Sequence, residues 1–189
     1  CVMATEDVRG LLLAMGMACE WDVARKAVAV AIGNIAGCDA GELMMSAAEV
    51  REVLVAMGAV CATDEARRAV ASAICNIARG HDVGRRVMAT ADVRTVLVAM
   101  GGACGSDGVR ESVASAICHI SESEEGKRAM ATEDVRGVLV AMGGACGSDG
   151  ACQTVADAIG AIARCQAGQR LMATVEVRGV GCDGREVCK

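Results

Sequence analysis

An all-α fold, in which repeated helical units stack into one elongated solenoid, is predicted by three observations on this sequence. The first is a period of 42 or 43 residues, marked by Val-Arg pairs whose arginines are Arg9, Arg51, Arg94, Arg136 and Arg178. The second is a helical spacing of apolar residues inside each period. The third is a composition that is 53% hydrophobic yet contains no Pro, Phe or Tyr. Units of this length bury their apolar faces by stacking, and small aliphatic residues suit closely packed helices.

The array is predicted to form a single domain over residues 1–189. About four units occupy residues 1–37, 38–79, 80–122 and 123–164, and a partial unit follows at 165–189. Because an array needs atypical end units to cover its last apolar face, Val180–Lys189 is interpreted as either a cap or a truncated unit. The chain starts at Cys1 with little sequence before Met3, which leaves open a longer parent protein.

Each unit is expected to contain a short first helix, a second helix and a longer third helix. In the unit 123–164 the short helix is predicted over Glu124–Ala131. The second helix of that unit has apolar residues at positions i, i+3, i+4 and i+7, which are Val135, Val138, Leu139 and Met142. The third helix is clearest in the unit 38–79, where the predicted buried stripe is Ala66, Ala69, Val70, Ala73, Ile74 and Ile77.

Helix ends are predicted from residues that recur at fixed places in the unit. The second helices are expected to be capped by Thr5, Thr90, Thr132 and Thr174, and to stop at glycines such as those of 143–150. The third helices are expected to be capped by Asp22, Asp64, Asp107 and Asp149. The connections to the next unit are expected to end at Gly41, Gly84, Gly126 and Gly168. The one-residue insertion is placed in the loop between Ile77 and Gly84.

A short motif ends every third helix. It reads AIGNIA at 31–36, AICNIA at 73–78, AICHIS at 116–121 and AIGAIA at 158–163. This pattern resembles the armadillo repeat, whose third helix ends in a motif like A-L-S-N-L-A, and the resemblance covers nearly the whole chain. It implies a right-handed α-α superhelix. A HEAT-like array is the alternative, and the absence of Pro and the three-helix unit count against it.

The resemblance also implies a binding groove lined by the third helices, in which the motif Asn bonds the backbone of an extended peptide. That column holds Asn34, Asn76, His119 and Ala161. The column one turn earlier, where importin-α-like proteins place Trp, holds Val30, Ser72, Ser115 and Asp157, so a nuclear-localisation-signal receptor is not expected. Neighbouring groove positions are Lys26, Arg68, Glu111 and Gln153, and at the helix ends Arg79, Glu122 and Arg164. Their variation fits either a surface that reads different partner residues or a set of solvated faces.

The twelve cysteines are predicted to be reduced thiols that act as small hydrophobic residues. One column consists of Cys19, Cys61, Cys104 and Cys146, and another pairs Cys75 and Cys118 with Gly33 and Gly160, which indicates a need for small size. With no CxxC pair and only two histidines, no disulfide framework, metal site or cofactor is predicted. This use of cysteine indicates a reducing compartment, the cytoplasm or the nucleus.

Charge, hydropathy and motifs argue against several other functions. The net charge is −5 with acids and bases interspersed, which favours neither nucleic acid nor a membrane surface as partner. The longest apolar runs, 11–19 and 53–62, are too short to span a membrane. The glycine-rich segments 102–108 and 144–150 lack the lysine and the strand of a phosphate loop. His81 and His119 have no carboxylate or cysteine at catalytic or ligand spacing, so no enzyme is predicted.

Two functions follow from this pattern. The first is a non-enzymatic scaffold that binds an extended protein segment along the groove. The alternative is a structural segment of a longer solenoid that stacks end to end through its terminal repeats. Trp21, the single aromatic residue, fits both hypotheses, because it either anchors a partner or packs under a preceding repeat.

Overall fold

The structure is a computed structural model that describes residues 4–173, and this part of the chain contains twelve α-helices and no strand. In chain order these are α1 (Glu6–Ala18), α2 (Asp22–Ala36), α3 (Asp39–Met45), α4 (Ala48–Val60), α5 (Asp64–Gly80), α6 (Asp82–Met88), α7 (Ala91–Gly102), α8 (Asp107–Ile120), α9 (Glu124–Met130), α10 (Glu133–Ala145), α11 (Asp149–Ile162) and α12 (Gln166–Ala173). The sets α3–α5, α6–α8 and α9–α11 each have the predicted order of short, second and third helix. The expectations for Thr174, Arg178 and Val180–Lys189 lie outside the described residues, and the single domain over 1–189 stays a prediction.

Helices of one type pack against the same type in the next unit. The third helices α2, α5, α8 and α11 contact one another in series, and the second helices α1, α4, α7 and α10 form another layer. The short helices α3, α6, α9 and α12 contact one another along the array in the same way. Each unit therefore completes its core with the apolar face of its neighbour.

The core lies between these layers and is aliphatic. The predicted stripe on α5 is confirmed, since Ala66, Ala69, Val70, Ala73, Ile74 and Ile77 are all buried. The predicted stripe on α10 is confirmed as well. The methionines that end the short helices, Met45, Met88 and Met130, are fully buried.

Adjacent second helices interlock at a glycine. A Cβ on Gly58 would lie 2.5 Å from Cγ1 of Val96, and a Cβ on Gly101 would lie 2.8 Å from Cγ2 of Val138. Gly16 approaches Val53 in the same manner. The absent side chain thus makes room for an apolar side chain of the following unit.

The glycines predicted to end the inter-unit connections lie inside the short helices instead. Gly41, Gly84, Gly126 and Gly168 are each the third residue of their helix. A Cβ on Gly126 would overlap the carbonyl oxygen of Ile120, and the other three face an isoleucine carbonyl of the preceding third helix in the same way. The prediction is wrong because these glycines permit a close approach between two helices, not a turn.

The aspartates predicted to cap the third helices are also placed differently. Asp22, Asp64, Asp107 and Asp149 are the first helical residues, and the cap positions hold Trp21, Thr63, Ser106 and Ser148. The carboxylate of Asp22 accepts hydrogen bonds from the backbone N–H groups of Ala62 and Thr63, at 2.9 and 2.6 Å. Those of Asp64 and Asp107 accept from Gly105 and Gly147, at 3.0 and 3.1 Å. Each of these three side chains therefore joins its own unit to the next one.

These inter-unit contacts lower the pKa of each carboxyl group. Burial raises the pKa of Asp22 and Asp64, but their hydrogen bonds from the next unit, and those from Arg25 and Arg67, outweigh it, so both pKa values lie below the usual 3.8. At Asp107 the N–H of Gly147 is the largest cause of the lowered pKa. The carboxylates are consequently charged at neutral pH.

The arginines of the Val-Arg period make a second kind of inter-unit contact. Nε of Arg51 lies 3.5 Å from Oδ2 of Asp92, and Nε of Arg94 lies 3.5 Å from Oδ2 of Asp134. A guanidinium nitrogen of Arg94 also donates to the carbonyl of Ala129 at 3.2 Å. The sequence period is thus visible in residues that reach across unit boundaries.

Three local expectations have mixed outcomes. Thr5 caps α1 by accepting from the N–H of Val8, whereas Thr90 and Thr132 hold the cap position of α7 and α10 without such a bond. The second helix α10 continues through Gly143 and Gly144 to Ala145 rather than stopping at the glycines. The insertion lies in no loop, because α5 extends to Gly80 and takes up the extra residue.

Candidate functional site

The candidate site is a stripe of side chains that runs across the third helices. Residues four apart lie on one face of a helix, so α2 presents positions 26, 30 and 34, α5 presents 68, 72 and 76, and α8 presents 111, 115 and 119. We call this surface the third-helix groove. Two cavities between neighbouring helices fall within it.

The first pocket lies between α2 and α5 and has a volume of about 260 Å³. Its floor consists of small buried residues, Ala29, Gly33, Ala69 and Ala73. Its polar lining consists of Lys26, Asn34, Glu65, Arg68, Ser72 and Asn76. The structure therefore brings six predicted groove positions together, Lys26, Val30, Asn34, Arg68, Ser72 and Asn76.

The second pocket adjoins the first and lies between α5 and α8, with a volume of about 190 Å³. Its lining residues are Ser72, Cys75, Asn76, Glu111, Ser112 and Ser115. The hydroxyl of Ser112 donates to the carbonyl of Gly108 at 2.9 Å, so the 3.1 Å contact between Ser72 and Ser112 uses the proton of Ser72. Ser72 and Asn76 border both pockets and make them one continuous surface.

The two asparagines of the motif differ in their surroundings. Asn76 is half-buried, and its Nδ2 donates to the carbonyl oxygen of Gly33 at 3.1 Å across the unit boundary. Its second amide proton and its oxygen have no hydrogen-bond partner among residues 4–173. Asn34 is exposed in the first pocket. That these amides bind a peptide backbone stays a prediction.

Four further predicted groove residues, His119, Glu122, Arg79 and Asp157, line neither pocket. Nδ1 of His119 lies 2.9 Å from Oε1 of Glu122, whose other oxygen lies 2.7 Å from Arg85. His119 and Glu122 are therefore engaged inside the chain and are less available to a partner. Arg79 and Asp157 are exposed on α5 and α11, outside both pockets. The partner-binding roles of all four stay predictions.

Two residues that line the pockets, Glu65 and Ser112, are not among the predicted groove residues. Glu65 precedes Arg68 by three positions and Ser112 precedes Ser115 by three, so each lies beside a predicted groove residue on its helix. Helical spacing alone could have found them. A comparison of the repeats does not indicate them, because the equivalent positions in other units hold residues of a different type, Val23 for Glu65 and Ala69 for Ser112.

The structure explains in part why one repeat position near the groove holds small residues, which are Gly33, Cys75, Cys118 and Gly160. A Cβ on Gly33 would lie 3.3 Å from the Cα of Ala73, so small size is needed where α2 and α5 meet. A Cβ on Gly160 would meet nothing described within 4 Å, so that position has no such need. Cys75 in the same column is half-buried, and burial raises the pKa of its thiol to about 11.

Within 4–173 no three His, Cys, Asp or Glu side chains converge as a metal site. His81 accepts from the N–H of Val83 at 3.4 Å. No single helix of this part is long and apolar enough to cross a membrane, although α2 and α3, which are bent by 120°, meet the length and composition requirement together.

An apolar patch lies at the first unit. Leu11, Met15 and Trp21 expose 59%, 45% and 76% of their surface, respectively. Leu11 and Met15 are the equivalents of Val53 and Met57, which are buried against the preceding second helix. Both interpretations of Trp21, a partner anchor or a contact with another repeat, are compatible with this exposure.

Stacked three-helix units of this kind define the class of α-solenoid repeat proteins. Two engineered proteins of known structure are similar to the chain. One, from the Northeast Structural Genomics Consortium, has a TM-score of 0.76 at 18% identity and covers 86% of this chain and 67% of its own. The other, a computationally designed armadillo repeat protein for modular peptide recognition, has a TM-score of 0.71 at 18% identity and covers 88% and 70%.

The chain is an armadillo-type solenoid by fold, which confirms the predicted fold class. No protein-family model matches the sequence, and no curated protein matches it significantly. At 18% identity the similarity establishes only the architecture, so function has to be argued from the residues of the groove.

Proposed function

We propose that the chain is a non-enzymatic scaffold that binds an extended peptide segment along the third-helix groove. The observation that carries this proposal is the pair of adjoining pockets, because Ser72 and Asn76 border both and one extended segment can occupy the two. One similar structure was designed for modular peptide recognition, a use to which this fold lends itself. The free cysteines of the described part support a reducing compartment, the cytoplasm or the nucleus, as the site of action.

The groove has the composition that main-chain recognition requires. Amides and hydroxyls offer donors and acceptors together, and Asn34, Ser72 and Asn76 supply them above a floor of alanine and glycine. The small floor residues let a peptide backbone approach the helices closely. A peptide would therefore find polar partners and apolar contact at the same place.

Selection of peptides from a random library tests this proposal. The immobilised protein is used to select twelve-residue peptides under reducing conditions, and the dissociation constants of the enriched peptides are measured for wild type and for Asn34→Ala/Asn76→Ala. Loss of two hydrogen-bonding amides is expected to weaken binding about 10- to 100-fold. Asn34→Ala alone keeps the Asn76 bond to Gly33 and serves as the variant without a structural change.

The matched control is Gln166→Ala/Gln169→Ala, which removes two exposed amides from α12 outside both pockets. This control is expected to bind like wild type. Failure to enrich any peptide, or equal affinity for the groove variant and the control, would contradict the proposal.

End-to-end stacking is the second candidate, and the exposed patch of the first unit favours it. Leu11 and Met15 occupy positions that are buried by a neighbouring unit elsewhere in the array. Sedimentation velocity over a range of concentrations should then show oligomers that disappear in Leu11→Glu/Met15→Glu. The control is Val60→Glu, which charges another exposed apolar residue, at the end of α4 in the interior of the array. A monomer at all concentrations would exclude stacking.

A further inference from the structure

The third-helix groove changes its charge along the array. On α2 and α5 the charged residues of the groove are Lys26, Glu65, Arg68 and Arg79, three cations and one anion. On α8 and α11 they are the anions Glu111 and Asp157, whereas Glu122 and Arg164 lie in the turns after these helices and Glu122 is already paired with Arg85. Lys26, Arg68 and Glu111 occupy one column of the repeat, so the sign changes at equivalent positions of otherwise similar units.

The cations of the first pocket are available to a ligand. Neither Lys26 nor Arg68 forms an ion pair with any residue of 4–173, unlike Arg25 and Arg67, which pair with Asp22 and Asp64. Arg68 lines this pocket, and its side chain also extends toward α8, where its Cδ lies 3.4 Å from the point where a Cβ of Gly108 would be. Glu65 is the single anion of this pocket. A carboxylate placed over the alanine floor would accept charge-assisted bonds from both cations.

The second pocket has a negative charge where the first pocket is mainly positive. Glu111 is its single charged residue, and it forms no ion pair within residues 4–173. The other lining groups are hydroxyls, an amide and the Cys75 thiol, which burial keeps neutral by raising its pKa to about 11. Asp157 adds negative charge on the following third helix. A lysine or arginine side chain is the group that this pocket would hold best.

We propose that the groove selects peptides that carry an acidic residue for the first pocket and a basic residue for the second. This inference rests on the proposed peptide-binding function and specifies its ligand class. Packed helices lie about 8–10 Å apart, and an extended chain advances about 3.3 Å per residue. The two charged residues of the peptide are therefore expected about three positions apart.

The test uses the enriched peptides from the library selection and variants of the groove. Enriched peptides are expected to contain an acidic and a basic residue about three positions apart. Lys26→Glu/Arg68→Glu should weaken their binding by at least about tenfold, since charge-assisted bonds are replaced by repulsion. Replacing the acidic residue of the peptide with lysine should restore binding to this variant but not to wild type. Affinity for wild type should also fall with added salt.

The matched control is Arg128→Glu/Arg170→Glu, which makes the same change in net charge at exposed positions on α9 and α12. It is expected to leave the affinity unchanged. If Lys26→Glu/Arg68→Glu does not fold, as judged by circular dichroism, the neutral variant Lys26→Gln/Arg68→Gln replaces it, with a smaller loss expected.

The outcomes separate this inference from the proposed function. Enriched peptides that lack the paired charges, or whose affinity is the same for the charge-reversal variant and the control, would overturn the charge order while leaving peptide binding intact. Peptides of a single sign would overturn it as well. The absence of any enriched peptide would overturn both.

Discussion

Single residues hold the units of this array at close distances, and glycine is the clearest example. Gly126, Gly41, Gly84 and Gly168 differ from most glycines of the chain because a side chain at each would overlap a backbone carbonyl, which cannot move as a flexible side chain can. Gly137 on α10 lies in open space. Substitution by alanine is therefore expected to destabilise the fold at Gly126 and to stabilise it at Gly137.

Gly126→Ala is expected to reduce the free energy of unfolding by about 2 kcal/mol or more, because α8 and α9 must separate to admit the methyl group. Gly137→Ala is the matched control and should increase it by about 0.5–1 kcal/mol, since alanine favours the helix. Urea unfolding followed by circular dichroism measures both. Equal effects of the two substitutions would contradict the close approach at Gly126.

At this scale the sequence predicts which residues are buried, but not which residues of another unit they contact. The predicted stripes on α5 and α10 are confirmed because helical spacing reports burial directly. The sequence predicts local roles for Asp64 and Gly84, a cap and the end of a connection, because rules for helix ends use neighbouring positions in sequence. Their actual contacts lie with the next unit and the preceding third helix. Such contacts become predictable only when the stacking of the units is known.

Helices are joined across unit boundaries by the aspartate at the start of each third helix. Asp64 accepts from the N–H of Gly105 while it pairs with Arg67 at 3.1 Å, so the start of α5 is joined to the loop that connects α7 and α8. Asp149 begins α11 in the same position, but its carboxylate has no hydrogen bond or ion pair with a residue of 4–173. The array therefore offers an aspartate with the contact and one without it.

Asp64→Asn should reduce the free energy of unfolding by about 1–2 kcal/mol at pH 7, because it removes a charged acceptor from a backbone donor. Asp149→Asn should cost a few tenths of a kcal/mol, the effect of an acid in the first turn. The pKa of Asp64 is lowered in the folded protein, so its contribution is complete above the usual pKa of 3.8 and is lost as the pH falls through the folded value.

The difference between wild type and Asp64→Asn should consequently shrink between pH 5 and the acid limit of folding. Urea unfolding at a series of pH values measures this difference. A difference that stays constant with pH, or one that is no larger than that of Asp149→Asn, would show that the inter-unit contact contributes nothing.

The groove illustrates what helical spacing can and cannot predict at the scale of elements. The stripe at Arg68, Ser72 and Asn76 follows from residues four apart on one helix, and the structure places all three in one pocket. The engagement of His119 by Glu122, and of Glu122 by Arg85, depends on rotamers and on a neighbouring short helix. Repeat columns contain no information on such pairs.

For the whole molecule, stability should vary along the array because the main helix contacts of residues 4–173 lie within a unit or between adjacent units. The third helix α5 packs against α2 on one side and α8 on the other, whereas α1 has the exposed residues Leu11 and Met15 on its outer face. Local opening costs least where few apolar contacts are lost.

Hydrogen exchange measured by mass spectrometry is expected to show the slowest amides in α5 and α8 and the fastest, among the helices of the first unit, in α1. The expected ratio of protection factors is on the order of 100 or more, which corresponds to about 2.7 kcal/mol of opening free energy. Uniform protection in all helices would instead indicate a single cooperative unit.

The interlocking of Gly58 with Val96, and of Gly101 with Val138, has a consequence for the history of such a chain. In each of these pairs, a second helix offers a glycine to the next unit, and the next unit packs a valine side chain against it. An interior unit such as that of α7 has both parts of this contact, Val96 on one side and Gly101 on the other. A gene that gains or loses a whole period by unequal recombination therefore encodes a protein in which each new contact is already complementary. Lengthening requires no compensating substitution, so the number of units, and with it the length of the groove, can change in a single genetic event.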